Sequence, residues 1–269
     1  MSPTPLESYH PNLRVEAEGL VTTVTLDAPK TRNACNGDMF VALGRIFRDL
    51  SWSGTRAIVL TGAGGNFCTG ADLSGAGSGG ASGPPATQLD SMRVLGDAVL
   101  AIHGCPVPVI SKVDGLCVGA GFGLALGADM TWCSDRARFS AIFAKRGLSL
   151  DFGSSWLLRQ RIGSHKAKEL AFTARMVEGP EAYEIGFVNG VVPADQLDAT
   201  VDEVAQTIAA GPPIALSLSK RELDGASTMS LAQALEVEAL AQSVTSETAD
   251  MREAMTAFFE KRAPTFKGR

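Results

Sequence analysis

The chain has 269 residues, 45% of them apolar and 20% charged, enough to bury a full core as one large domain or a domain with a smaller lobe, which excludes a disordered or fibrous protein. Its net charge of −5 argues against a broad polyanion-binding face, so no nucleic-acid partner is expected, although a local basic patch for one phosphorylated ligand stays compatible. The leading MSPTPLESYHP lacks a signal-peptide pattern and no apolar run nears the ~20 residues of a membrane span, so a cytoplasmic protein with no membrane partner is expected.

In chain order, LVTTVTL at 20–26 places Leu20, Val24 and Leu26 on one face at period two, a strand with one buried face that leads into the turn-prone DAPKTRN. Met39, Phe40, Leu43, Ile46, Phe47 and Leu50 recur at helical spacing from Gly37 on, and AIVLTG at 57–62 reads as a buried strand. The stretch 74–85 (SGAGSGGASGPP) has almost no side chains to bury and predicts a surface loop of weak order. A helix follows over 88–103 through Met92, Leu95, Val99 and Ile102, and Pro106 and Pro108 lead into the strand VISKV. In GAGFGLALGA at 119–128 the glycines would weaken an exposed helix by about 1 kcal/mol each, so a helix here requires a close backbone approach. Strand-like MTWC, ARFS and GFVNGVV then alternate with helices around 154–174 and 180–186, giving an α/β body. After Pro193 every segment is helical in pattern, first through Leu197, Val201, Val204 and Ile208, then through Leu231, Leu235 and Leu240, and finally through Met251, Met255 and Phe258 or Phe259. The division expected is a core domain, 1–193, and a helical lobe, 194–269, whose excess apolar surface suits a subunit contact.

Several familiar chemistries are missing. GAGGNF at 62–67 lacks the third glycine and the later acidic residue of a dinucleotide site, and no GxSxG, Walker A or HExxH occurs. His10, His103 and His165 lack metal-like spacing and read as surface or capping residues, so no metal site is expected. The five cysteines are scattered and never spaced as CxxC, which fits buried free thiols. More informative are NFCTGADL at 66–73 and VDGLCVGAGFGLALGAD at 113–129, each opening onto small residues after an apolar strand. Small residues at such turns leave peptide N–H groups uncovered, and two converging donors form an oxyanion hole for a thioester enolate. Either segment alone would read as an ordinary strand-to-helix turn.

Taken together these segments make the chain resemble the enoyl-CoA hydratase/isomerase (crotonase) superfamily from about Val15 onward. The resemblance implies an α/β fold of the crotonase type, a spiral of ββα units with a C-terminal all-helical lobe. It implies that FxxGxDL, carrying Gly70, Asp72 and Leu73, supplies the N–H of Ala71, that the GAG turn supplies the N–H of Ala120, and that Asp72 is structural. DAPKTRNAC looks like the mouth of the family's CoA site, so Lys30, Arg32 and Ala34 are candidates for contact with the nucleotide end, a solvated charged turn being the alternative. Where hydratases of the family carry two glutamates, this chain has Gly123 and Phe143, neither able to transfer a proton. FAKRGLSLDFGSSWLL at 143–158 instead places Asp151 where several isomerases of the superfamily carry a catalytic aspartate. A carboxylate against apolar walls is a competent proton acceptor near neutral pH; the alternative is a helix N-cap.

Further likeness, in GAGxxLALG, RGLxxD, the SWLL that contains Trp156, and the closing ADMREAMTAFFEKRAPTFKGR, is to the phenylacetate-pathway epoxyphenylacetyl-CoA/enoyl-CoA isomerase subgroup, with SLD replacing that subgroup's proline before the aspartate. The implied protein is an acyl-CoA isomerase needing no metal, nicotinamide or flavin, with coenzyme A present only as part of the substrate, and assembled as a homotrimer or hexamer. Two rivals are an enoyl-CoA hydratase and a non-catalytic acyl-CoA-binding homologue.

Overall fold

The computed structural model describes residues 9–73 and 87–269, so the glycine-rich stretch 74–85 lies outside the described residues. Strands β1 (Leu13–Glu18) and β2 (Val21–Leu26) form an antiparallel hairpin with Leu13 opposite Leu26. The hairpin turn at Gly19 claims Leu20, which is 43% exposed rather than part of the buried face expected for it. Helix α1 (Gly37–Leu50) begins at Asn36, whose side chain accepts the Met39 N–H, and buries the predicted apolar stripe.

Next come β3 (Ala57–Gly62), α2 (Gln88–His103), β4 (Val109–Val113), β5 (Leu116–Val118), α3 (Ala120–Gly127), β6 (Met130–Ser134) and β7 (Arg138–Ser140). Helix α4 (Ser154–Thr173), interrupted at Gly163, β8 (Val177–Glu178), α5 (Gly179–Glu184) and β9 (Gly190–Val192) complete the α/β part. The main sheet has the order β1-β2-β3-β4-β6-β9 and is parallel from β2 onward; β5, β7 and β8 form a second, smaller sheet.

Both faces of the main sheet are covered, and β3 shows why its sequence is apolar throughout. Ile58 and Leu60 face the larger core beside α1, α2 and α3, while Ala57 and Val59 face the opposite way, against α6 (Leu197–Ala209) through Leu197, Val201, Ala205 and Ala209. The remaining helices, α7 (Pro213–Ala226), α8 (Leu231–Ser246) and α9 (Ala249–Glu260), bury little, and Leu223, Leu231, Phe258 and Phe259 are each more than 70% exposed.

Candidate active site

The candidate site is assembled by loops that leave strands of both sheets, and one asparagine ties together the two that follow β2 and β3. Asn33, left-handed at φ 58 and fully buried, donates to the carbonyls of Ala63 (2.8 Å) and Asn66 (2.7 Å) and accepts the Ala28 N–H (2.9 Å). It thereby holds the 28–33 turn against the loop that follows β3. From there Phe67 and Cys68 run beside β5, with Cys68 N–H donating to Leu116 C=O (2.9 Å) and Val118 N–H to Cys68 C=O (2.9 Å).

Cys35 then pairs with Ala71 as an isolated parallel bridge. Cys35 N–H donates to Gly70 C=O (2.8 Å) and Asp72 N–H to Cys35 C=O (2.9 Å), so the bridge uses the groups flanking Ala71 and not its own N–H. Gly70, at φ 96, brings this segment onto the start of α3: a Cβ on it would lie 3.0 Å from Val118 C=O and 3.4 Å from the Ala120 nitrogen. Only glycine leaves that gap open. Gly119 (φ 59, ψ −122) turns the chain into α3, whose first internal bond runs from Gly123 N–H to Gly119 C=O (3.1 Å). The Ala120 N–H precedes that ladder, at the helix end where the peptide dipoles concentrate positive charge. Two main-chain segments, ending in Ala71 and Ala120, are thus pressed together by the geometry of Gly70, an arrangement able to stabilise a developing oxyanion.

The loop bearing Asp151 packs against α3 at Gly123. Asp151 is half-buried; its Oδ1 accepts the Phe152 N–H (2.7 Å) and its C=O accepts the Ser154 N–H (3.1 Å). Phe152 (φ 50) and Gly153 (φ 68) form two consecutive left-handed residues, and Gly153, which bonds nothing through a side chain, is the N-cap of α4. The Asp151 carboxylate therefore bonds its neighbour rather than capping the helix. Gly123, three residues after Ala120, explains how the loop comes so close: a Cβ there would stand 2.4 Å from Phe152 C=O and 2.5 Å from Phe152 Cβ. Phe152 is itself buried, its ring 4.5 Å from that of Phe40. Phe143 is also buried, in the turn Ile142–Arg146.

The other predicted residues divide. Lys30, Ala34 and Asp72 line a cleft of about 370 Å³ with Asp27 and Met39. Arg32 does not line it; its carbonyl accepts the Thr69 N–H (3.2 Å), and Leu73 is exposed. Trp156 stands edge-on to His103 at 5.5 Å, in a cavity of about 480 Å³ that does not include Ala71, Ala120 or Asp151 in its lining and is walled by α7 residues such as Lys220 and Leu223. All five cysteines are buried and free. Three belong to the segments just described; the Cys68 Sγ accepts the Gly70 N–H (3.4 Å) and lies 3.8 Å from the Cys35 Sγ, and that hydrogen bond together with burial pushes the Cys35 thiol well up.

Sequence reasoning missed Arg161. It is half-buried and donates to the carbonyls of Leu126 and Ala128 (both 2.6 Å) and of Phe187 (3.3 Å), closing the C-terminal end of α3 with a positive charge. Burial pushes its pKa down to about 10, which leaves it protonated at neutral pH. Next to it Asp129, raised by burial, pairs with Lys220 of α7 (2.9 Å) and accepts the Val109 N–H (2.7 Å). Among the described residues no group of three His, Cys, Asp or Glu could hold a metal, and no helix is long and apolar enough to cross a membrane.

A family model described as enoyl-CoA hydratase/isomerase matches residues 16–269. The chain is 33% identical over 250 residues to the 1,2-epoxyphenylacetyl-CoA isomerase of Escherichia coli K12, covering 93% of this chain and 95% of that protein. It is 34% identical over 265 residues to the short-chain-enoyl-CoA hydratase of Clostridium acetobutylicum, with the same two coverages. Its fold superimposes on the crystal structure of an enoyl-CoA hydratase from Bacillus anthracis with a TM-score of 0.89 at 29% identity, over 96% of this chain and 100% of that one.

Proposed function

The chain belongs to the enoyl-CoA hydratase/isomerase family, and from that premise we propose that it is an acyl-CoA isomerase that moves a proton with the single carboxylate of Asp151. The observation that supports this reading is the contact between Gly123 and Phe152. The volume that a side chain at 123 would need is filled by the backbone of the loop bearing Asp151, which favours a single carboxylate, carried by that loop beside α3, over a pair.

In this mechanism the thioester carbonyl accepts hydrogen bonds from the N–H groups of Ala71 and Ala120. Asp151 takes a proton from the carbon next to that carbonyl; the electron pair moves onto the carbonyl oxygen as a conjugated enolate. The same proton returns to the far end of the conjugated system, leaving the double bond shifted and Asp151 ionised again. One oxyanion donor lowers the barrier by about 3 kcal/mol, and a positioned base contributes about 10²–10⁴ in rate. Lys30 and Ala34 would receive the nucleotide end in that cleft, the Lys30 ammonium facing phosphate, with Asp72 structural beside them. Coenzyme A enters only as part of the substrate, and no other cofactor is part of the reading. The apolar faces of α7, α8 and α9 are proposed to close a homotrimer or hexamer in the cytoplasm.

A second reading, hydration of an α,β-enoyl-CoA, has the support of the Clostridium relative, which is as similar as the isomerase. Turnover of a panel of enoyl-CoA esters in deuterium oxide and in heavy-oxygen water separates them. The isomerase reading expects a shifted double bond with no heavy oxygen and, because the transferred proton is the substrate's own, little solvent deuterium in the product. Heavy oxygen in the product would replace it with hydration, and binding without any turnover would leave an acyl-CoA-binding homologue.

A further inference from the structure

We infer that Phe152 is a positioning residue for Asp151, an inference that rests on Asp151 being the base. Phe152 carries a large side chain at φ 50, where glycine would sit without strain, and Gly153 continues the same left-handed turn. Backbone in that region persists only where its surroundings over-determine it, and such residues concentrate where a group has to be aimed.

Two contacts supply the determination. The Phe152 ring packs on Phe40 of α1 at 4.5 Å with a 47° tilt, and its main chain bears on α3 at Gly123, where an added Cβ would find its carbonyl at 2.4 Å. Held between α1 and α3, the residue points its amide back along the chain and donates it to Asp151 Oδ1 at 2.7 Å. The ring therefore sets the direction of the carboxylate through one peptide unit. Contact with Gly123 sets how near that carboxylate stands to the helix presenting the Ala120 N–H. A glycine at 152 would suit the backbone better yet leave the turn untethered; a phenylalanine in a strained conformation is what points to aiming rather than filling.

The test is a double-mutant cycle. F152G removes the ring and relieves the backbone, whereas F152L keeps an apolar anchor and guards against loss of the fold. Each is made in the wild type and in D151N, and conversion of 3-hexenoyl-CoA to 2-hexenoyl-CoA is followed with kcat and KM resolved, together with Tm. F152G is expected to lower kcat at least about 10-fold with KM within about 3-fold, F152L to fall between, and neither to reduce the residual rate of D151N further, because Phe152 acts through that carboxylate. If F152G does not fold, the same comparison is read from F152L. An unchanged kcat, or equal losses in both backgrounds, would make Phe152 ordinary core packing and leave the assignment of Asp151 intact. Wild-type kcat in D151N would remove the base itself, and the inference with it.

Discussion

Gly123→Ala tests the seating of the Asp151 loop with one methyl group. The added Cβ would stand 2.4 Å from Phe152 C=O, where contacts below 3.4 Å are already tight, so the loop must retreat by about 1 Å. Overpacking of this kind costs about 1–3 kcal/mol, and replacing a helical glycine by alanine returns about 1 kcal/mol, which leaves a net loss of about 0–2 kcal/mol. At about 2–4 °C per kcal/mol for a domain of this size, Tm should drop only a few degrees. Activity should respond far more, since a 1 Å misplacement of a reacting group lowers rate by about 10²-fold. Gly127→Ala on the same helix is the control, because its Cβ would meet only the side-chain ends of Val99 (3.3 Å) and Ile102 (3.6 Å), which can yield. Isomerisation kinetics and differential scanning fluorimetry on the two variants decide the matter. A G123A enzyme with wild-type kcat would refute the claim that the loop's contact with α3 places the carboxylate.

Gly70→Ala puts a methyl 3.4 Å from the Ala120 nitrogen on a backbone at φ 96, so we expect kcat to fall by about 10²-fold or more, read against retained CoA-ester affinity by calorimetry. Arg161→Met leaves the Leu126 and Ala128 carbonyls without their charged donor and should lower stability by about 1–3 kcal/mol in a urea titration; a loss below about 0.5 kcal/mol would contradict the cap. Burial alone would raise Asp114, but its bonds from Arg136 (2.8 Å) and Ser134 (2.6 Å) outweigh that and hold it below its ordinary value. A carboxylate lowered in the folded state adds stability above its unfolded pKa of about 4 and loses it as pH falls through the folded value. Asp114→Asn should therefore lower the urea midpoint at pH 7, with the gap to wild type closing below about pH 4; a gap that stays constant with pH would refute the coupling.

Strong periodicity made most of the fold legible. The stripe of α1 and the two-faced run of β3 were readable because each residue's burial follows from its own spacing. Strand β1 was not, since Arg14, Glu16 and Glu18 leave it only Leu13 and Val15 as apolar signal and its pairing with β2 supplies the rest. In GFVNGVV only Gly190–Val192 is strand, because Asn189 engages Thr131 with both its main chain and its side chain. At the site, the glycines of 119–128 announced a close approach but not its partner, which for Gly123 comes from a segment some thirty residues away; the approach of Gly70 to Val118 and Ala120 had no signal of its own. Asn33, Phe152 and Arg161 were invisible for the same reason: each acts through hydrogen bonds or contacts between loops, and no local pattern encodes them. Trp156 illustrates the converse, a residue in a shared segment whose side chain faces another cavity.

The guanidinium at the end of α3 makes that helix a strut anchored at its tail. At 1.5 Å per residue its eight residues span about 12 Å, and a rod so short does not bend or stretch. Where Arg161 and the Asp129–Lys220 pair pin one end therefore dictates where the Ala120 amide sits at the other. Lys220 belongs to α7, a helix that contributes no residue to the core described above. Under the proposed mechanism, a displacement of α7 would be felt at the Ala120 amide as a shift along the helix axis, a route from that distant helix to the site through the Lys220–Asp129 pair.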